Sequence, residues 1–389
     1  MTRLDRHKVA LIGAIGLVVL VAVRRNNYQW DFSLSYGSAN DFLDDVSPYR
    51  GEGLSFYQTP LTLYLYSLPA RLPYFVAYEL WLVLKVCALG GLLWVWNRSF
   101  VQLGRSWWTV AYLVLAYAGA LYADLVAGNV SIFEQFGLWL GFAALMRGQY
   151  GRFCVCIILV SQFKLTPAFF AVTLLLVPKV PQWKWFAVCI TGFLAVFSLN
   201  FILEPTLTRE FFDVAQALDE RGTESASTLA FVRDALDLVG GATFSADSML
   251  DEVVYGLVAL AVAGITLLLV TRHRRAGSPI DQRWIIFVTC VAYCLMVPRL
   301  KNYSYIIMLV PTLHLLRELP RRQLVPAAAA VLAFMAVFPH GNTLLPFYDV
   351  AELLYDYLPL VTAFAVGFGY WFLLDRVADE RDELSSTFL

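Results

Sequence analysis

Apolar residues gather along the chain into blocks that short polar segments interrupt. The blocks cover residues 9–24, 74–96, 107–123, 130–146, 152–163, 166–178, 184–203, 251–271, 284–298, 303–317, 323–339 and 356–375. About 20 residues of helix cross the hydrocarbon core of a bilayer. The pattern therefore predicts an all-α polytopic membrane protein with about 11–12 transmembrane helices. Residues 1–389 form one integral membrane domain in this reading, with no internal repeat, coiled coil or low-complexity tract.

Two neighbouring blocks, 152–163 and 166–178, are each too short to cross alone. They meet at Phe163-Lys164-Leu165-Thr166-Pro167. Either they are two half-helices, or one long helix kinks at Pro167. The basic residues arbitrate, because cytoplasmic loops carry the excess of Lys and Arg. With two elements and a cytoplasmic N-terminus, most of the 29 Lys and Arg fall inside, among them Arg98, Arg147, Arg152 and Arg272 to Arg275. With one element every later loop would invert, and Arg272, Arg274, Arg275, Arg283, Arg317, Arg321, Arg322, Arg376 and Arg381 would all face outward. Two elements are expected, with both termini cytoplasmic. The N-terminal block comes after a basic start and lacks a small-x-small cleavage site, so an uncleaved signal anchor is expected.

Three segments then share the extracytoplasmic side. The first, 25–73, holds Asp41, Asp44 and Asp45 and several prolines. The second, 204–250, is the longest polar loop. Its start places Phe211, Phe212, Ala215 and Leu218 at the spacing of an interfacial amphipathic helix. The third is 340–355. The active site is expected in these extracytoplasmic segments.

Composition supports the membrane reading. Hydrophobic residues make up 59% of the chain and charged residues 15%, against about 25% charged in soluble domains. A net charge of −1 and the lack of a long basic run disfavour nucleic acid as a partner. No Gly-rich loop ending in Lys-Ser/Thr is present, which excludes a Walker-type nucleotide pump. The six cysteines lie in apolar blocks. Cys290 and Cys294 are four apart but lack companions for a zinc site, so membrane-buried thiols are expected.

Chemistry is carried by a few residues. Asp31 comes about eight residues after the first block, roughly 12 Å if the helix continues. That depth is the membrane–water interface, where Tyr28 and Trp30 serve as headgroup-level aromatics. Asp31 is there either a partly desolvated base or an exposed acid. Lys164, at the helix break, either snorkels or meets an anion such as a lipid-linked phosphate. Arg299, Lys301 and Tyr303 stand in an outer turn against the positive-inside trend. They bind either a phosphate or bulk headgroups. Arg233 comes after a Ser-rich stretch, Ser225 to Thr228, in the longest loop. Glu79, Lys85 and Glu134 lie within spans, and each needs a partner from another helix. Asp41, Asp44 and Asp45 are either a divalent-ion site or a solvated acidic loop.

The order of these features resembles the GT-C glycosyltransferases, and within them the polyprenol-phosphate-mannose-dependent mannosyltransferases of glycosyltransferase family 87. The similarity runs from Asp31-Phe32, Tyr36 and Ala39, through Pro48-Tyr49, to Tyr57-Gln58-Thr59-Pro60 where the family has Tyr-Pro-Pro. It continues at Gly128-Asn129-Val130-Ser131, where the family has Gly-Gln-x-Asn. It ends with Lys164-Leu165-Thr166-Pro167 for Lys-Pro-Thr-Pro, then Ser225 to Arg233, then Pro298 to Tyr305.

The resemblance implies a GT-C-like bundle in the cell membrane and a catalytic Asp at Asp31. The donor would be a polyprenyl-phosphate-linked sugar and the acceptor a glycolipid or glycan. Phosphate leaves readily, so one base is sufficient and inversion results, unlike the two-carboxylate glycosidases. Lys164, Arg299, Lys301 and Arg233 would hold the phosphate. Trp30, Tyr36, Tyr57, Asn129 and Tyr303 would line the substrate site, and no cofactor or metal is called for. The rival readings are a transporter or flippase built around the broken helix, and a membrane scaffold without catalysis.

Overall fold

A computed structural model describes residues 29–49, 58–103, 107–217, 221–222, 225–240, 249–275, 281–321 and 349–387. The described residues are helical and contain no strand. The chain is an all-α polytopic membrane protein. Four helices among the described residues are long and apolar enough to cross a bilayer: Tyr74–Ser99, Thr109–Ala127, Trp183–Leu203 and Leu250–Arg272. Shorter apolar helices accompany them. The blocks 9–24 and 323–339 and most of the 340–355 loop lie outside the described residues.

The chain divides into two compact units. The first holds α1 (Trp30–Leu43), α2 (Pro60–Ala70), α3 (Tyr74–Ser99), both ends of α4 (Trp107–Ala127), α5 (Ser131–Met146), α6 (Tyr150–Phe163), a 3-10 turn (Thr166–Val172), α7 (Thr173–Leu176 in part), α8 (Trp183–Leu203) and α9 (Pro205–Ala217). Prolines set two of the starts. Pro60 opens α2, where its missing N–H costs nothing, and Pro73 precedes α3. Helices α5 and α6 pack closely because glycines face the partner: a Cβ on Gly137 would come within 2.6 Å of Val160, and one on Gly141 within 3.1 Å of Cys156. Helix α8 exposes Val188, Leu194 and Ile202, as a lipid-facing span does.

The two-element expectation for 152–178 matches the backbone. Helix α6 stops at Phe163, and Lys164 is extended at φ −142°, ψ 134°. Pro167 accounts for the stop, since its ring clashes with the carbonyl four residues earlier, which is that of Phe163. Beyond the stop, the chain forms a tight 3-10 turn and four α-helical residues, shorter than the span expected there. The amphipathic helix expected from Thr208 begins earlier, at Pro205, and buries Phe211. Helix α4 differs more. Tyr117, Ala118 and Gly119 all have positive φ (53°, 59° and 66°), a left-handed turn inside an otherwise apolar helix. Residues 111–120 of α4 belong to the second unit.

The second unit also holds α10 (Thr228–Gly240), α11 (Leu250–Arg275), α12 (Gln282–Met296), a 3-10 turn (Asn302–Met308), α13 (Leu309–Arg321), α14 (Asp349–Asp356) and α15 (Leu358–Thr387). Its core is α12, which is buried from Ile285 to Leu295. Trp284, Phe287, His314 and Tyr370 form an aromatic cluster there, and the Tyr370 hydroxyl donates to the Pro311 carbonyl at 2.7 Å. Within this unit the left-handed turn is held by Tyr117, which stacks on Tyr305 and shares a 2.5 Å hydrogen bond with Thr312.

Candidate active site

Asp31 lies in the first turn of α1 and is half-buried. The helix starts abruptly: Gln29 has a left-handed φ of 41°, and its N–H donates to the Val126 carbonyl at 3.0 Å. Phe32 anchors the same turn. It is 1% exposed, among the rings of Tyr36, Tyr74, Tyr78 and Trp81. Burying Phe32 fixes the rotation of α1 and so the direction in which its neighbour Asp31 is presented.

The Asp31 carboxylate is held by the Gly128–Ser131 segment. Asn129 Nδ2 donates to Asp31 Oδ2 at 2.9 Å. The Asn129 amide is itself oriented, because its Oδ1 accepts the Ser131 N–H at 3.0 Å and the Ser131 hydroxyl at 2.9 Å. Ser131 Oγ in turn accepts from Lys164 Nζ at 2.7 Å. Lys164 also pairs with Glu134 Oε2 at 3.0 Å, and its side chain stays 27% exposed. Asp31, Asn129, Ser131 and Lys164 thus form one hydrogen-bonded chain, with the base candidate at one end and a cation at the other. Asp31 Oδ1 accepts no hydrogen bond from the described residues.

A buried ion pair supports this segment from behind. Lys85 and Asp124 have fully buried side chains, 2.7 Å apart. Lys85 Nζ also donates to the carbonyls of Asp124 and Asn129, both at 2.6 Å. Asp124 Oδ1 accepts the Ser131 N–H at 3.1 Å, and Trp81 Nε1 donates to the Gly128 carbonyl at 2.8 Å. A charge pair out of water is tolerated only when its remaining polar atoms are satisfied. Here the atoms that satisfy it belong to the turn that carries Asn129. Nearby, burial pushes the Tyr66 phenol well above its ordinary range. Hydrogen bonds with Gln58 and Ser35 offset part of this, and the Asp31 and Asp124 carboxylates add to it. Tyr66 therefore stays a neutral hydroxyl.

The other predicted residues are more dispersed. Trp30 is 42% exposed, next to Asp31. The Tyr36 hydroxyl donates to the Leu72 carbonyl at 2.8 Å, and its ring meets Tyr74 edge-on. Tyr57 lies outside the described residues. Arg233, Arg299, Lys301 and Tyr303 belong to the second unit. There Arg233 is paired with Asp251 at 2.6 Å. The turn bearing Arg299 is pinned by the Ser-rich stretch: Ser227 Oγ donates to the Pro298 carbonyl at 2.6 Å, and Ser225 Oγ accepts the Leu300 N–H at 3.4 Å. Two motifs far apart in sequence are therefore one structural element. Tyr303 is buried.

Sequence reasoning gave no role to Asp124 or Ser131. A carboxylate inside the apolar run Leu121–Ala127 was the available signal, and it is the interhelical partner that Lys85 requires. Glu134 supplies the partner for Lys164. Among curated proteins, none matches the chain. The family profile named Glycosyltransferase family 87 matches residues 56–298, more than half of the chain. The protein belongs to glycosyltransferase family 87.

Proposed function

We propose that this glycosyltransferase moves a sugar, mannose in the first instance, from polyprenyl phosphate to a hydroxyl of a glycolipid or glycan. The reaction takes place at the extracytoplasmic face of the cell membrane. The observation that carries this reading is the presentation of Asp31: Oδ2 is fixed by Asn129, and Oδ1 is left to accept a proton. The acceptor hydroxyl forms its bond to the anomeric carbon as the carbon–oxygen bond to phosphate breaks. The proton passes to Asp31, the phosphate leaves with the bonding electrons, and the anomeric centre inverts. Lys164, partly exposed at the far end of the hydrogen-bonded chain, stabilises the departing charge. Arg299, Lys301 and Arg233 are assigned to phosphate binding, and Trp30, Tyr36, Tyr57 and Tyr303 to the substrates, by family resemblance.

The test is transfer by the purified protein in nanodiscs, with labelled polyprenyl-phosphate-mannose, a membrane-lipid extract, and Asp31→Asn alongside. A positioned general base contributes about 10²–10⁴-fold. The wild type should form a labelled product, and Asp31→Asn should lose at least about 10²-fold while folding normally. Equal transfer by both would remove Asp31 from its role. No transfer from mannose or any other polyprenyl-linked sugar would move the function to lipid transport.

A further inference from the structure

A cavity lies at the other end of helix α5 from the Asp31 site. Asn129 and Ser131 stand at the N-terminal end of α5 and Arg147 caps its C-terminal end. Sixteen residues at about 1.5 Å each separate Ser131 from Arg147 by roughly 24 Å, most of the thickness of a hydrocarbon core. The cavity has a volume of about 440 Å³ and is walled by α3, α5 and α6. Its apolar wall includes Trp94, Leu140, Ala144 and Val155, and its mouth carries Ser99, Arg147 and Arg152. The volume is that of a small-molecule site, and the proposed sugar transfer makes no use of it.

Among the described residues, no carboxylate pairs with the charges at the mouth. Among the described residues, Arg147 reaches the Ser99 hydroxyl, at 3.5 Å, and Arg152 the Gln149 amide oxygen, at 3.0 Å. Arg98 sits over the Trp94 ring, 5.2 Å from its centroid. None of the three arginines is ion-paired with a carboxylate among the described residues. Two cations at the mouth of an apolar slot, with Arg98 on the tryptophan that helps to wall it, match one kind of molecule: a phosphate bearing a hydrocarbon tail. Guanidinium binds phosphate through paired N–H donors, and the apolar wall takes the chain.

We propose that this cavity binds one anionic phospholipid, with its phosphate between Arg147 and Arg152 and an acyl chain along Trp94, Leu140, Ala144 and Val155. The same arginines would attract a phosphate from any source, so the test separates a lipid from a free ion. Purified protein is stripped of lipid in detergent, then titrated with phosphatidylglycerol, phosphatidylcholine or inorganic phosphate. Bound lipid is counted by native mass spectrometry and stability by thermal unfolding. Phosphatidylglycerol should be retained and raise Tm, and the other two should do neither. Arg147→Gln with Arg152→Gln should weaken retention by about tenfold or more. Both residues are exposed, so the variant should fold. Val155→Trp, which fills the slot and leaves the arginines in place, should also reduce retention. Equal binding of phosphatidylcholine, equal protection by inorganic phosphate, or undiminished retention in the arginine variant would each overturn the proposal. None of these readouts depends on sugar transfer.

Discussion

At the scale of single residues, Gly128 and Asn129 decide where the Asp31 carboxylate sits. Gly128 has φ +72°, a left-handed conformation that costs other residues about 1–2 kcal/mol. A Cβ there would also stand 2.6 Å from the Cβ of Phe32, an atom next to the α1 backbone with no freedom to yield. Gly128→Ala should therefore displace α1, lower Tm and reduce transfer together, as thermal unfolding and the labelled-donor assay would report. Asn129 acts more locally. Its removal leaves both helices in place but releases Asp31 Oδ2. Misplacing a reacting group by about 1 Å can cost about 10²-fold in rate. Asn129→Ala should lower kcat by that order with an unchanged Tm. A kcat equal to the wild type's would show that Asn129 does not orient the base.

At the scale of elements, the Lys85–Asp124 pair joins α3 to α4 and holds the start of α5 through the Asn129 carbonyl and the Ser131 N–H. Removing one member of a buried pair costs about 3–5 kcal/mol, because the other charge is left uncompensated. Lys85→Met should thus be strongly destabilised in detergent, and Lys85→Met with Asp124→Asn should recover part of the loss. If the double variant melts no higher than the single, the pair is not coupled. The helix break at Lys164 was legible in the sequence because proline acts through local sterics on a carbonyl four residues back. The left-handed turn at Tyr117 to Gly119 was not legible. A single glycine within an apolar run is no break signal by itself, and the turn is held by Thr312 and Tyr305, nearly two hundred residues further along. Asp31, Asn129 and Lys164 were picked out one at a time, by position and motif. Their assembly through Ser131 was hidden, since a serine at the head of an apolar helix reads as an ordinary cap.

At the scale of the whole molecule, the axis of α5 connects the Asp31 region to the Arg147–Arg152 turn over roughly 24 Å. A helix of that length in a bilayer puts its two ends near opposite faces. In the proposed orientation, which follows the positive-inside rule, the arginine end faces the cytoplasm and the Asp31 end the opposite side. Under the proposed function this orientation decides which compartment must supply the acceptor, because the proposed polyprenyl-linked donor is membrane-bound but a glycan acceptor is confined to one side. Two exposed positions report on it. Ser33 stands two residues after Asp31 on the outer surface of α1, and Gln149 lies in the turn between α5 and α6. Ser33→Cys should react with a membrane-impermeant maleimide in right-side-out vesicles, and Gln149→Cys only in inverted ones. Wild-type protein measures the background from its own thiols, Cys156 beside the cavity included. The reverse pattern would place the base in the cytoplasm and require a cytoplasmic acceptor. Labelling of both from one side would mean that α5 does not cross the membrane, and the separation of the two sites by the bilayer would have to be abandoned.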